Sequence, residues 1–148
     1  MARKTLKFRL YPNRQQRERL TATRDGCREL YNAGLQERIE AWKCRTPVRV
    51  FDQINQLPEL KAVRPDVAHV FSQVLQDTLR RLDKTYQAFF ARVQRGQKAG
   101  FPRFKGRNRY DSFTYPQSGL RRVENCNCRK SATSKSNSIE TWKAKSKP

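Results

Sequence analysis

Apolar residues recur at three- and four-residue steps along two long stretches of this chain, and each stretch predicts a helix with one buried side. The clearer stretch begins at Asp66: Val67, Val70, Phe71, Val74, Leu75, Leu79, Leu82, Tyr86, Phe89, Phe90 and Val93 form one wide stripe, closed by Gly96 and Gly100. The other runs from about Arg14 to Trp42, with Leu20, Cys27, Leu30, Tyr31, Leu35 and Ile39 on one side. Asn13, with Gln16 three residues later, offers it a capping box, whereas Gly26 and Gly34 weaken it slightly. Stripes this wide must be covered, and each helix is the other's available partner. The expected fold is therefore mainly α, a small helical bundle packed through Leu30, Leu35, Ile39, Val74, Leu75, Leu82, Phe89 and Phe90. Between the long helices, Cys44 to Val50 reads as a loop, Phe51 to Leu57 as a short helix or turn stopped by Pro58, and the segment up to Pro65 as a connection.

Two short stretches alternate instead. Thr5 to Leu10 places Leu6, Phe8 and Leu10 on one face and Lys7 and Arg9 on the other, as in a half-buried strand, and Tyr11-Pro12 closes it. Ser112 to Tyr115 alternates hydroxyl and aromatic residues, and the amino-terminal strand is its natural mate, since neither would be stable alone. The β element is thus minor and incomplete. After Gly119 the texture changes: Leu120 to Pro148 carries eight basic and two acidic residues, many Ser, Asn and Thr, and hardly any apolar period, which predicts a disordered basic tail. The chain divides at that point into residues 1–119 and 120–148.

Charge changes the picture from fold to partner. The 33 Lys and Arg against 13 Asp and Glu give a formal net charge of +20 in 148 residues, a self-repulsion that a polyanion relieves, and nucleic acid is the commonest polyanion. No stretch approaches the roughly 20 apolar residues of a membrane-spanning helix, and no apolar segment of a signal peptide follows the basic start. A soluble, cytoplasmic protein without a membrane partner is expected. Cys27, Cys44, Cys126 and Cys128 are too unevenly spread to imply a disulfide framework.

The cations are clustered. Arg3, Lys4, Lys7, Arg9, Arg14, Arg17 and Arg19 crowd the start with only Glu18 against them, and Arg92 to Arg109 carries seven basic residues and no acid. In the second cluster Phe101, Phe104 and Tyr110 interleave with Arg103, Lys105, Arg107 and Arg109, setting charges for phosphates beside rings that can stack on unpaired bases. Phe101 and Phe104 fit a core role equally well. Arg9, Arg92, Arg95, Lys98, Arg103, Lys105, Arg107 and Arg109 are the expected nucleic-acid contacts, supplying affinity rather than sequence reading. Arg80, Arg81 and Lys84 read better as a solvated helix face, with Asp77 and Arg81 at ion-pair spacing. Ser72, Gln73 and Gln76 are small or amide side chains that can read adenine edges, although exposed amides are usually just solvated.

Catalytic chemistry is not legible. His69 has no Cys or carboxylate at ligand spacing, Cys126-Asn127-Cys128 is half of a zinc clip at best, and Cys27 is most simply core. No Gly-rich phosphate loop, nucleophile motif or acidic metal cluster appears, so no cofactor and no metal are expected.

The ordered set of short motifs resembles a known family. Phe8-Arg9-Leu10-Tyr11-Pro12, then Tyr31-Asn32, Leu57-Pro58-Glu59-Leu60-Lys61 and Val74-Leu75-Gln76-Asp77-Thr78-Leu79 are followed by Leu82-Asp83-Lys84, Tyr86 and Phe89-Phe90. Gly100-Phe101-Pro102-Arg103-Phe104-Lys105 then leads to Ser112-Phe113-Thr114-Tyr115, and the whole is similar to the start of TnpB-like (OrfB) insertion-sequence proteins over about residues 3–118. Members are RNA-guided DNA endonucleases related to type V CRISPR effectors, often described as transposases with a helix-turn-helix domain. The resemblance implies a wedge barrel begun by strand 5–10, a helical recognition lobe over about 13–95, and a return to the barrel at about 112–118. It further implies DNA and a guide RNA derived from the element as partners, and places Phe51, Ser72, Gln73 and Gln76 where the family touches the motif flanking its target. Phe51 fits a core position equally. Beyond Gly119 the family's RuvC-like acids and cysteine quartet have no counterpart in the sequence, so a nucleic-acid-binding fragment without nuclease activity of its own is expected. The alternative is a basic helix-turn-helix or RNA-binding protein that acts without a guide.

Overall fold

The computed structural model describes residues 9–116 and 141–143. Among them five helices and two short strands follow in the order α1 (Arg14–Lys43), α2 (Val50–Asn55), α3 (Leu57–Val63), α4 (Pro65–Ala68), α5 (Ser72–Gln94), β1 (Ser112–Thr114) and β2 (Thr141–Lys143). The mainly α bundle read from the sequence is the observed architecture.

Helix α1 starts where its cap is encoded. Asn13 is extended, its side-chain oxygen accepts the Gln16 backbone N–H at 2.8 Å, and the Gln16 side chain accepts the Asn13 N–H at 3.0 Å. The helix closes in a Schellman turn, with the Thr46 N–H on the Ala41 carbonyl and the Arg45 N–H on that of Trp42, and Arg45 takes the left-handed conformation (φ 55°) usually filled by glycine. Helix α5 ends the same way, with Gly96 (φ 65°) at the left-handed position and the Gln97 N–H on the Arg92 carbonyl.

The core lies between these two helices. Cys27, Leu30, Tyr31 and Leu35 of α1 face Val74, Leu75, Leu79 and Leu82 of α5, with Leu57, Val67 and Val70 closing one end and Tyr110 and Phe113 the other flank. Gly34 is the point of closest approach. A β-carbon there would lie 3.1 Å from Leu79 Cδ2, 3.2 Å from Leu82 Cδ2 and 3.3 Å from Gln53 Nε2, so its hydrogen lets three helices meet. Gly26 is different: a β-carbon would find Val70 Cγ2 at 3.6 Å and the Asp66 carbonyl at 3.7 Å, which is ordinary contact. Gly26→Ala is therefore expected to stabilise the protein by about 0.5–1 kcal/mol through the lower backbone entropy of the unfolded chain. Chemical denaturation checks it, and Gly34→Ala is expected to show no comparable gain.

Four expectations are corrected. The stripe beginning at Asp66 is not one helix: α4 ends at Ala68, and α5 begins only at Ser72, after a joint over 69–71. Lys61 fixes that joint by donating to the Val70 carbonyl at 2.7 Å and to Ser72 Oγ at 2.9 Å, and burial lowers its pKa. Pro58 does not stop a helix; it lies in the first turn of α3, where its missing N–H has no partner to lose. Phe89 and Phe90 do not join the core: Phe89 is half-buried and Phe90 is 51% exposed. Lastly, the mate of β1 is β2, antiparallel with Phe113 opposite Trp142. Thr141–Lys143 thus forms a strand within the stretch for which no regular structure was expected, and the rest of that stretch lies outside the described residues. The expected strand from Thr5 also lies largely outside them, and Arg9 and Leu10 are not in a strand.

Candidate nucleic-acid interface

The segment after α5 turns back and is pinned to α1 by one side chain. Asn32 donates its amide to the Lys105 carbonyl at 3.0 Å and accepts the Lys105 N–H at 2.8 Å, pairing with that peptide as a neighbouring strand would. Lys105 Nζ lies 5.9 Å from the centre of the Tyr31 ring, within cation–π range. Farther along, Tyr110 is buried against Tyr31 at 6.1 Å between centroids, and its hydroxyl meets Thr78 Oγ1 at 3.3 Å. Burial pushes the Tyr110 hydroxyl up to about 12 and the neighbouring Cys27 thiol up to about 11, so both stay uncharged near neutrality. Arg81 then holds β1, donating to the Ser112 carbonyl at 2.8 Å and to Thr114 Oγ1 while pairing with Asp77 at 2.9 Å. The solvated-face reading of Arg81 is replaced by this structural one.

These clamps hold a basic surface. Between Asp83 and Asp111 the chain has eight Lys and Arg and no acid. Arg92, Arg95, Lys98, Arg103, Arg107 and Arg109 are exposed, Lys105 is half-buried, and none pairs with a carboxylate among the described residues. Other arginines are already engaged. Arg38 pairs with Asp83 at 3.0 Å, and Arg64 with Glu29 at 2.6 Å and with Asp66, an arrangement that raises the pKa of Arg64 and lowers that of Asp66. The cations at the carboxyl-terminal end of α5 and along the loop after it thus stand without carboxylate partners, as do Arg9, Arg17, Arg19, Lys43, Arg45 and Arg80 elsewhere among the described residues.

The remaining sequence-derived contacts lie elsewhere. Arg9 is exposed and sits over the Tyr11 ring at 5.4 Å. Ser72 is exposed but holds Lys61, Gln73 and Gln76 are half-buried, and Phe51, at 67% exposure, is not a core residue. Ser72 and Arg92 stand on one helix 20 residues apart, about 30 Å at 1.5 Å per residue, so the amides and the basic loop form two sites. A cavity of about 240 Å³ beside α1, lined by Gln53, Leu57, Leu79 and Glu37, offers an anion no cation. Among the described residues no group of three or more His, Cys, Asp or Glu could hold a metal ion.

Sequence reasoning missed Asn32 as the clamp, because an amide bonded to a peptide 73 residues away leaves no local pattern. It also missed the ring cluster beside the basic loop. Tyr86, Phe89, Phe90 and Phe101 lie 5.2–6.3 Å apart in successive pairs, and the periodicity of α5 had assigned two of them to the core.

Comparison with known proteins agrees with the motif order. Residues 1–46 match the helix-turn-helix domain of IS605-type OrfB proteins. The amino-terminal region is thus similar to that of TnpB-like, OrfB-type proteins. A relative in Escherichia coli (strain K12), named "Putative RNA-guided DNA endonuclease InsQ", is 31% identical over 114 residues, which is 75% of this chain and 27% of that protein. The chain thus spans about a quarter of the length of the curated relative it matches. The matched model describes a helix-turn-helix, a class of DNA-binding module. Within the described part of that match, however, α1 is one unbroken helix of 30 residues, with no second helix set against it across a turn. No helix among the described residues is long and apolar enough to cross a membrane.

Proposed function

We propose that this chain is the nucleic-acid-binding region of a transposon-encoded, TnpB-like RNA-guided system, engaging DNA and a guide RNA derived from the element without cutting DNA by itself. The observation that carries the reading is the stretch between Asp83 and Asp111, where eight cations meet no acid and the loop is held in place by Asn32. An unneutralised patch of this kind binds phosphates by releasing their counterions. Arg9, Arg92, Arg95, Lys98, Arg103, Lys105, Arg107 and Arg109 supply that affinity. Ser72, Gln73 and Gln76 form a second contact region at the amino-terminal end of α5, against the short motif flanking the target, and Phe51 on α2 is a further contact to that motif. The relative's printed name supports the RNA-guided part of the reading.

The test incubates purified full chain with RNA transcribed from the element's end, with target duplex and with magnesium. Expected are tighter binding to that RNA than to arbitrary duplex DNA, and intact DNA. Equal or stronger binding to arbitrary duplex would favour a DNA-binding protein without a guide, and cutting that persists through purification would overturn the non-nuclease part.

A further inference from the structure

We propose that the ring cluster at the end of α5 is a stacking platform for unpaired bases, so that the strand held by the basic loop is a single-stranded polynucleotide; this rests on the reading that the loop binds nucleic acid. The buried part of α5 ends at Leu82. Beyond it Tyr86 still leans on the core, and Phe89, Phe90 and Phe101 collect around it rather than inside it. Phe90 is 51% and Phe101 49% exposed, a large apolar area to leave in water on neighbouring rings.

The geometry suits bases. Phe101 meets Tyr86 and Phe89 at 88° and 78°, Phe89 meets Phe90 at 64°, and Phe90 stacks on Tyr86 at 27° with 6.3 Å between centroids. These contacts hold the rings while leaving about half of Phe90 and of Phe101 in solvent, and every nucleobase has a π-face to lay on an exposed ring. Pro102, next to Phe101 in the chain, is buried, and the Asn32 clamp holds Lys105 four residues after Phe101. Arg92 stands one helical turn after Phe89 on α5, and Arg103 follows Phe101 by two residues in the loop, so phosphate-binding charge lies close to the ring cluster along the chain. The same charge argues against a second copy of this chain as the occupant, since two patches without an acid repel each other. Paired bases keep their faces inside the duplex, so duplex can use the cations and not the rings.

The experiment titrates full chain into a short single-stranded DNA oligonucleotide carrying one 2-aminopurine, and into the matching duplex, reading fluorescence and anisotropy. Quenching of the single strand is expected on binding. Phe90→Leu with Phe101→Leu keeps apolar bulk and removes the π-faces; it is expected to weaken single-strand binding roughly tenfold to a hundredfold, with duplex binding and the salt dependence of both unchanged. Phe90→Trp with Phe101→Trp should retain single-strand affinity. A leucine variant that is folded by circular dichroism and binds the single strand undiminished would overturn the platform alone. Equal loss for single strand and duplex would show that the rings merely support the loop, and loss of self-association in place of DNA affinity would make the face a contact between copies. Wild-type chain that binds neither form in dilute salt would instead remove the underlying reading.

Discussion

Replacing Arg103, Lys105 and Arg107 together by Ala is expected to lower the slope of log affinity against log salt by about 2.7 for duplex DNA and about 2.1 for a single strand, at roughly 0.9 and 0.7 per neutralised phosphate. Affinity in dilute salt falls with it, on the order of a hundredfold or more. The effect is large because these cations share the stretch without an acid, so no internal carboxylate is freed to compensate. It is also clean. Asn32 holds the backbone of Lys105 and not its ammonium, so the loop keeps its two hydrogen bonds when the side chain is truncated. Arg103 and Arg107 are exposed and contribute little to folding. An unchanged slope, measured by anisotropy across a salt series, would move the contact elsewhere, with the cluster before α1 the next candidate.

Much of the bundle was legible because its determinants are local. The Asn13–Gln16 box and the spacing of Leu30, Leu35, Leu75 and Leu82 are written within a few residues of where they act. The joint over 69–71 escaped because a three-residue interruption preserves the three- and four-residue spacing of Val67, Val70 and Val74. Phe90 was misplaced for a related reason: periodicity reports which face is apolar and not how far the partner reaches. On α1 the packing fades at Ile39, and Trp42 is 81% exposed, so the last turns of α5 have little to pack against. Strand pairing was beyond local reading, because a three-residue ladder accepts any extended segment that tertiary structure delivers, and here it is Thr141–Lys143. The candidate site divides in the same way. A run of cations without acids is visible in the sequence, but which arginines are consumed by carboxylates is settled only when Asp83 meets Arg38 and Glu29 meets Arg64.

Arg38→Ala, in contrast to the loop variants, is expected to reduce stability by about 2–4 kcal/mol and to leave the salt slope of nucleic-acid binding unchanged. The side chain is 9% exposed, donates to Gln53 Oε1 at 2.9 Å and to Asp83 at 3.0 Å, and lies 5.2 Å from the centre of the Tyr86 ring. Its removal leaves the Asp83 carboxylate with the Gln87 amide at 2.7 Å and no cation, and leaves the buried Gln53 oxygen without its donor, although that amide still spans to the Gly34 carbonyl at 3.0 Å. Arg38→Lys should recover only part of the loss, since an ammonium cannot reproduce the planar fork that serves both acceptors. Coupling is the sharper reading: with Asp83→Ala added, the double variant should be more stable than the sum of the two singles allows, by about 0.5–3 kcal/mol. Urea denaturation measures the first effect and a salt titration the second. A normal denaturation midpoint would show that the Arg38 network contributes nothing to the fold, and a slope reduced by about 0.9 would place this arginine on the phosphate backbone after all.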